Sequence, residues 1–197
     1  LLEALARAAN EAASPEAAMR TCLERISGYA NWGLGRVALL KAGAPAPVVQ
    51  TSLWHGSNPT RFAEFVRLSE SYDYSQLSGT FISVVLREKR ALWITEFDKT
   101  NARGRLLGAV NAGLHSGFAF PIIVQGEVAA FIEFFAEEPR RMDPLLLGAI
   151  GSVGAQLARL IERDRAEAAH ARLAAIVESS QDAIVSTALD RAILTWN

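Results

Sequence analysis

The sequence predicts an α+β domain, with a central antiparallel β-sheet flanked by helices and a long C-terminal helix. Three observations carry this. Apolar periodicity gives the order helices, two strands, helices, three strands and one long helix, without the βαβ alternation of a parallel wound sheet. Ser14-Pro15, Asn58-Pro59 and Asp143-Pro144 each pair a capping residue with a first-turn proline. Finally, GLHSGFAFPIIVQGEVAAFIEFF (residues 113–135) is apolar except for the turn QGE, His115 and Glu133, and reads as the two strands at the sheet's centre.

Each element follows in order. Residues 1–13 place Leu1, Leu5 and Ala8 at helical spacing. A second helix starts at Ser14-Pro15-Glu16, runs through Met19, Leu23 and Ile26, and stops near Gly28. GRVALLKAG (35–43) and APVVQTSLWH (46–55) read as a hairpin around Gly43 and Pro45. Asn58-Pro59 opens a helix with Phe62, Phe65, Val66 and Leu68 on one side, and SESYDYSQLSG (69–79) is polar and turn-rich. TFISVVLREKR reads as a short helix, ALWITEF as a strand, DKTNARG as a loop and RLLGAVNAGL as another short helix. From Asp143 the last helix continues through Leu146, Ile150, Val153, Leu157 and Ile161 into ERDRAEAAHARLAAIVESS.

Bulk properties narrow the function. The chain has 197 residues, half of them hydrophobic and 21% charged, with a formal net charge of −1. That composition is globular, and the charge offers no general attraction for nucleic acid or anionic membrane. No window approaches 18 apolar residues without a charge, so no membrane span is expected. LLEALARAAN carries Glu3 and lacks a basic start and a cleavage site, which reads as a helix cut from a longer chain and not a signal peptide. A lone cysteine, Cys22, excludes an intrachain disulfide and a thiolate cluster, and suggests a reducing, cytoplasmic setting.

Motifs for catalysis are missing. The sequence has no phosphate loop, no G-x-G-x-x-G, no H-E-x-x-H and no G-x-S-x-G. His55, His115 and His170 are dispersed and have no cysteine partners, so no metal site is expected. Strand alternation pairs Glu133 with Ala129, Phe131 and Phe135. A buried carboxylate there needs a partner, for which Arg36 is the candidate, and a solvent-facing position is the alternative. Ile150, Val153, Leu157 and Leu160 step by 3, 4 and 3, the spacing of a coiled-coil seam, and are candidates for a homodimer interface. Packing on the chain's own sheet would use the same stripe.

The stretches YANWGLGRVALL, EKRALWITEF and GLHSGFAFPIIVQGEVAAFIEFF, with PLLLGAIGSVGAQLARLIER as a closing helix, resemble a GAF domain over residues 1–163. ARLAAIVESSQDAIVSTALDRAILTWN resembles the opening of a PAS domain, with a strand at DAIVST, a turn at ALD (188–190) and a strand at AILTWN, giving a helical linker at 164–180 and a truncated PAS start at 181–197. The resemblance implies a sensory input domain of a bacterial signalling protein, not itself an enzyme. Its parent would be a histidine kinase, a diguanylate cyclase or a phosphodiesterase, and its partners a second copy and the downstream modules.

The family's ligands lie between one sheet face and the helices inserted after the second strand. The resemblance places Phe65, Phe81, Trp93, Leu107, Asn111, His115 and Phe118 around such a pocket, for a small planar ligand held by Asn111 and His115. Arg103 and Arg105 would serve one anionic group. The same aromatics could instead fill the core, which would leave a ligand-free dimerisation spacer. No cysteine lies near His115, so no covalent bilin is expected, and one cysteine cannot complete the disulfide of a methionine sulfoxide reductase.

Overall fold

The computed structural model describes residues 12–44, 47–56, 58, 60–74, 81–180, 185–187 and 193–196. The chain divides into two units, Leu1–Ile161 and Glu162–Asn197.

In the first unit, helix α1 (Pro15–Ala30) starts where its residues predict, with Ser14 Oγ accepting the Ala17 N–H at 3.2 Å. It ends beyond Gly28, at Asn31, whose left-handed φ of 52° closes the helix. β1 (Leu34–Leu40) and β2 (Val49–Gly56) form the expected antiparallel hairpin. α2 (Ala63–Glu70) starts later than Asn58 suggests. Asn58 Oδ1 accepts from the Arg61 N–H at 3.1 Å and so caps the turn ahead of the helix. α3 (Phe81–Glu88), β3 (Leu92–Ile94) and α4 (Arg105–Asn111) match their sequence patterns.

β4 (Ser116–Val124) and β5 (Glu127–Ala136) turn at Gln125 and Gly126. Both turn residues have positive φ, 52° and 80°, as a tight hairpin with native twist requires. Asp143 Oδ1 accepts the Leu145 and Leu146 N–H groups at 2.9 and 3.1 Å, starting α5 (Pro144–Glu178).

The five strands form one sheet in the order β2-β1-β5-β4-β3, with every neighbour antiparallel. This is the expected α+β architecture, with β5 at its centre. Strand parity divides the core in two. One face buries Val37, Phe118, Phe120, Ile132 and Phe134 beneath α1 and α5. The other buries Ala38, Ala119, Phe131 and Phe135 against residues of α2, α3 and α4.

The proposed seam on the long helix is used within the chain. Ile150, Val153 and Leu157 are buried in the first core, with Leu160 packed against it. A stripe at 3-4-3 spacing suits a sheet as well as a partner helix, and here the sheet takes it. By length and composition α5 could also cross a membrane, its best window having a mean hydropathy of 1.4. Within the helix, Leu146, Ile150, Val153, Leu157 and Ile161 are buried against the sheet, while Leu145, Leu173 and Ile176 are exposed.

In the second unit, β6 (Val185–Thr187) and β7 (Ile193–Trp196) pair antiparallel, within the two stretches expected to be strands. The turn expected at 188–190 and most of the helix expected over 1–13 lie outside the described residues.

Candidate functional site

One register row crosses the whole sheet: Trp54 on β2, Arg36 on β1, Glu133 on β5, Ala119 on β4 and Leu92 on β3. At its middle, on the face toward α2 and α4, two arginines meet a single carboxylate. Arg36 Nη1 donates to Glu133 Oε1 at 3.3 Å. Arg105, at the start of α4, grips the same carboxylate with two nitrogens. Nη1 donates to Oε1 at 2.9 Å and Nη2 to Oε2. Arg36 and Glu133 have no exposed surface, and Arg105 is 4% exposed.

Neutral groups complete the network. Arg36 Nη1 donates to the Tyr74 hydroxyl at 2.6 Å, and that hydroxyl donates to the Ser69 carbonyl at 3.5 Å. Ser69 Oγ accepts from Arg105 Nη1 at 2.9 Å. Ser52 Oγ accepts from both Nε and Nη2 of Arg36, at 3.2 and 2.8 Å. Aromatic faces pack on both cations: Trp54, Tyr74 and Phe131 on Arg36, Phe65 and Phe135 on Arg105. The network therefore ties the sheet to α2 and α4.

The electrostatics follow from burial. Burial pushes the Tyr74 phenol above its ordinary range, and Arg105, Glu133 and Arg36 add smaller effects of mixed sign, so the hydroxyl stays neutral. Burial works against the charge on Arg105, but Glu133 beside it, together with Tyr74 and Tyr72, outweighs this and holds the guanidinium protonated. Elsewhere, burial raises the Cys22 thiol to about 11, which makes it inert.

The residues expected around one pocket are dispersed. Phe65 and Phe81 lie in the core beside the network. Phe118 and Trp93 are register partners on the opposite face, where they pack with Trp32. Alternation excludes Phe118 from the Glu133 face, because Glu133 pairs with Ala119.

Leu107 and Asn111 are exposed on the outer side of α4, where they line a shallow groove of about 330 Å³ with Leu68 and the predicted Phe65 of α2. His115 is bound through its backbone, donating to the Ala136 carbonyl at 2.8 Å and accepting from Phe97 at 2.7 Å. Its ring Nδ1 lies 3.4 Å from the Phe97 carbonyl oxygen. Of the two candidate anion-binding arginines, Arg105 is held by Glu133. Arg103 is exposed and bonded to the Thr100 and Ala102 carbonyls. Among the described residues no cluster of histidine, cysteine, aspartate and glutamate could hold a metal.

Arg36 was legible as the partner of Glu133, and the other members were not. Hairpin parity would have placed Ser52 and Trp54 on the Arg36 face. Tyr74 sits in a stretch without periodicity, and nothing local signals its inward turn.

A family model described as GAF domain matches residues 12–162. No curated protein matches the sequence. Among solved structures, the chain is similar to the GAF domain of an Acinetobacter phosphoenolpyruvate-protein phosphotransferase, with a TM-score of 0.62, 14% identity and coverage of 85% of this chain and 94% of that one. A domain assigned to a two-component sensor histidine kinase protein of Sinorhizobium meliloti 1021 gives a TM-score of 0.59, 18% identity and coverage of 81% and 98%. The chromophore-binding domain of the bacteriophytochrome RpBphP3 from R. palustris gives 0.60, 13%, and coverage of 82% and 60%. At these identities the likeness is one of fold.

Proposed function

The chain belongs to the GAF family, whose domains serve as regulatory signalling modules, and from that premise we propose that it is the cytoplasmic sensory input domain of a signal-transduction protein. The observation that carries the reading is the double role of β5. Glu133 holds the polar network on one face, while its neighbours Ile132 and Phe134 lie in the core that α5 covers on the other. A small molecule or partner that rearranges the network displaces the strand on which α5 rests. The long helix then carries the change to a second copy and to a following module, of PAS type, in a histidine kinase or a cyclic-dinucleotide enzyme.

Hydrogen exchange tests the relay without a ligand. Tyr74→Phe removes one bond from Arg36 and keeps the ring. Faster exchange across Leu146–Ile161 in this variant is the expected result, and unchanged exchange there would sink the relay. A second reading, a ligand-free dimerisation spacer, is favoured by the full burial of Arg36 and Glu133 within a closed set of bonds. It predicts a silent α5 and no compound that raises the melting temperature.

A further inference from the structure

We infer that Arg36 is the cation of a binding site for a small organic monoanion, a carboxylate on a flat apolar body, received on its Nε–Nη2 edge over strand β2. The inference rests on the sensory reading and names the chemistry of its signal.

The first observation is a charge count. Among the described residues, the buried charged side chains are Arg36, Arg105 and Glu133. This interior therefore holds one positive charge more than its carboxylate neutralises. Tyr74 remains neutral.

The second observation assigns the surplus to Arg36. Glu133 holds Arg105 through both carboxylate oxygens but reaches Arg36 with one 3.3 Å bond. The Nε–Nη2 edge of a guanidinium is a fork matched to the two oxygens of a carboxylate. On Arg36 that fork closes on a single neutral hydroxyl, Ser52 Oγ, at 3.2 and 2.8 Å.

The third observation is an orphaned donor in the same row. Trp54 Nε1 is buried and has no hydrogen-bond partner, and the Trp54 ring lies 5.0 Å from the Arg36 guanidinium carbon. The aromatic faces offset part of the cation's charge but accept none of its N–H bonds in the guanidinium plane. A carboxylate would supply both the missing charge and further acceptors, while Trp54 provides a flat apolar surface beside it. Arg36 itself has no exposed surface, so the ligand enters from the edge strand only as the half-buried Ser52 and Trp54 side chains swing aside. The count also selects the ligand's charge, since a monoanion balances the surplus and a dianion would overshoot it.

Benzoate and its neutral isostere benzamide isolate the charge, and inorganic phosphate, used at a pH above its second ionisation, supplies a dianion. Titration at constant ionic strength, read by calorimetry and melting temperature, is expected to show saturable binding of benzoate, none of benzamide, and weaker binding of phosphate. Ser52→Ala removes the competing hydroxyl and should tighten benzoate severalfold. Ser52→Asp places a carboxylate on the fork and should raise the ligand-free melting temperature while abolishing the benzoate response. Equal behaviour of benzoate and benzamide, tighter phosphate, or a benzoate response that survives Ser52→Asp would overturn the inference. If a neutral compound alters α5 exchange where benzoate does not bind, the sensory reading stands and the monoanion site falls. If benzoate binds and α5 exchange does not change, the site stands and the relay falls.

Discussion

Arg36 and Glu133 are register partners on adjacent antiparallel strands, fully buried and 3.3 Å apart, and the Glu133 carboxylate is held more firmly by Arg105. The three substitutions that break this triad should therefore differ in cost. Glu133→Gln leaves two buried cations and no anion, and is expected to destabilise the domain by about 3–5 kcal/mol. Arg105→Met strands Glu133 on one long bond and should cost nearly as much. Arg36→Met leaves a balanced, bidentate pair and should cost least. Urea denaturation gives the order, and an Arg36→Met variant less stable than Glu133→Gln would contradict this account of the charge.

Much of the architecture could be read because its signals are local. Ser14, Asp143 and the Gln125-Gly126 turn act within three residues of themselves, and strand alternation is a property of the strand alone. The candidate site could not be read so well, because it depends on which face each strand presents to which helix. Phe118 and Glu133 sit in the same apolar hairpin, yet pairing with Phe134 and Ala119 respectively sends them to opposite faces. The long helix was ambiguous for a different reason. An apolar stripe records that something covers it, and Val153 carries no mark that tells the chain's own sheet from another chain.

Arg140 should couple α1 to β3. Its guanidinium donates to the Ala30 and Asn31 carbonyls at 2.6 and 3.0 Å, at the end of α1, and lies 5.5 Å from the Trp32 ring centre. Its own carbonyl accepts from Trp93 Nε1 at 2.8 Å, and its N–H donates to the Thr95 carbonyl at 2.9 Å. Arg140→Ala keeps the backbone bonds and removes the side-chain clasp, so a loss of about 1–3 kcal/mol is expected. Trp32 and Trp93 pack edge-on at 5.3 Å, which makes tryptophan emission the natural readout. An unshifted spectrum with unchanged stability would argue that the clasp contributes nothing.

Cys22 should give a measurable alkaline slope. Burial raises its thiol from an ordinary 9.0 to about 11, opposed weakly by Arg25. Between those values the unfolded chain loses the proton and the folded chain keeps it. The folded state then binds more protons, so stability present below pH 9 declines as pH rises toward 11, by at most about 1.4 kcal/mol per unit. Tyr74 also titrates high, so the comparison must be with Cys22→Ala, which retains it. The difference between the two denaturation profiles should be flat below pH 9 and slope above it. A constant difference through pH 11 would show that the thiol is not protected.

Val153 separates intramolecular from intermolecular packing. It lies on the face of α5 that covers the sheet and is 2% exposed, among Leu146, Ile150, Leu157 and Phe120. Val153→Glu would bury a carboxylate in that apolar cluster, at a cost of several kcal/mol. The melting temperature should fall steeply, and by the same amount at every protein concentration, since the contact lies within one chain. Further along the same helix, Leu173 and Ile176 are 61% and 54% exposed, three residues apart. Ile176→Glu should change the stability of the folded chain by less than about 0.5 kcal/mol. If two copies pair through the distal helix, that substitution shifts sedimentation from dimer to monomer, while the proximal stripe stays committed to its own sheet. A Val153→Glu protein that melts normally and merely dissociates would restore the proximal stripe as the dimer seam.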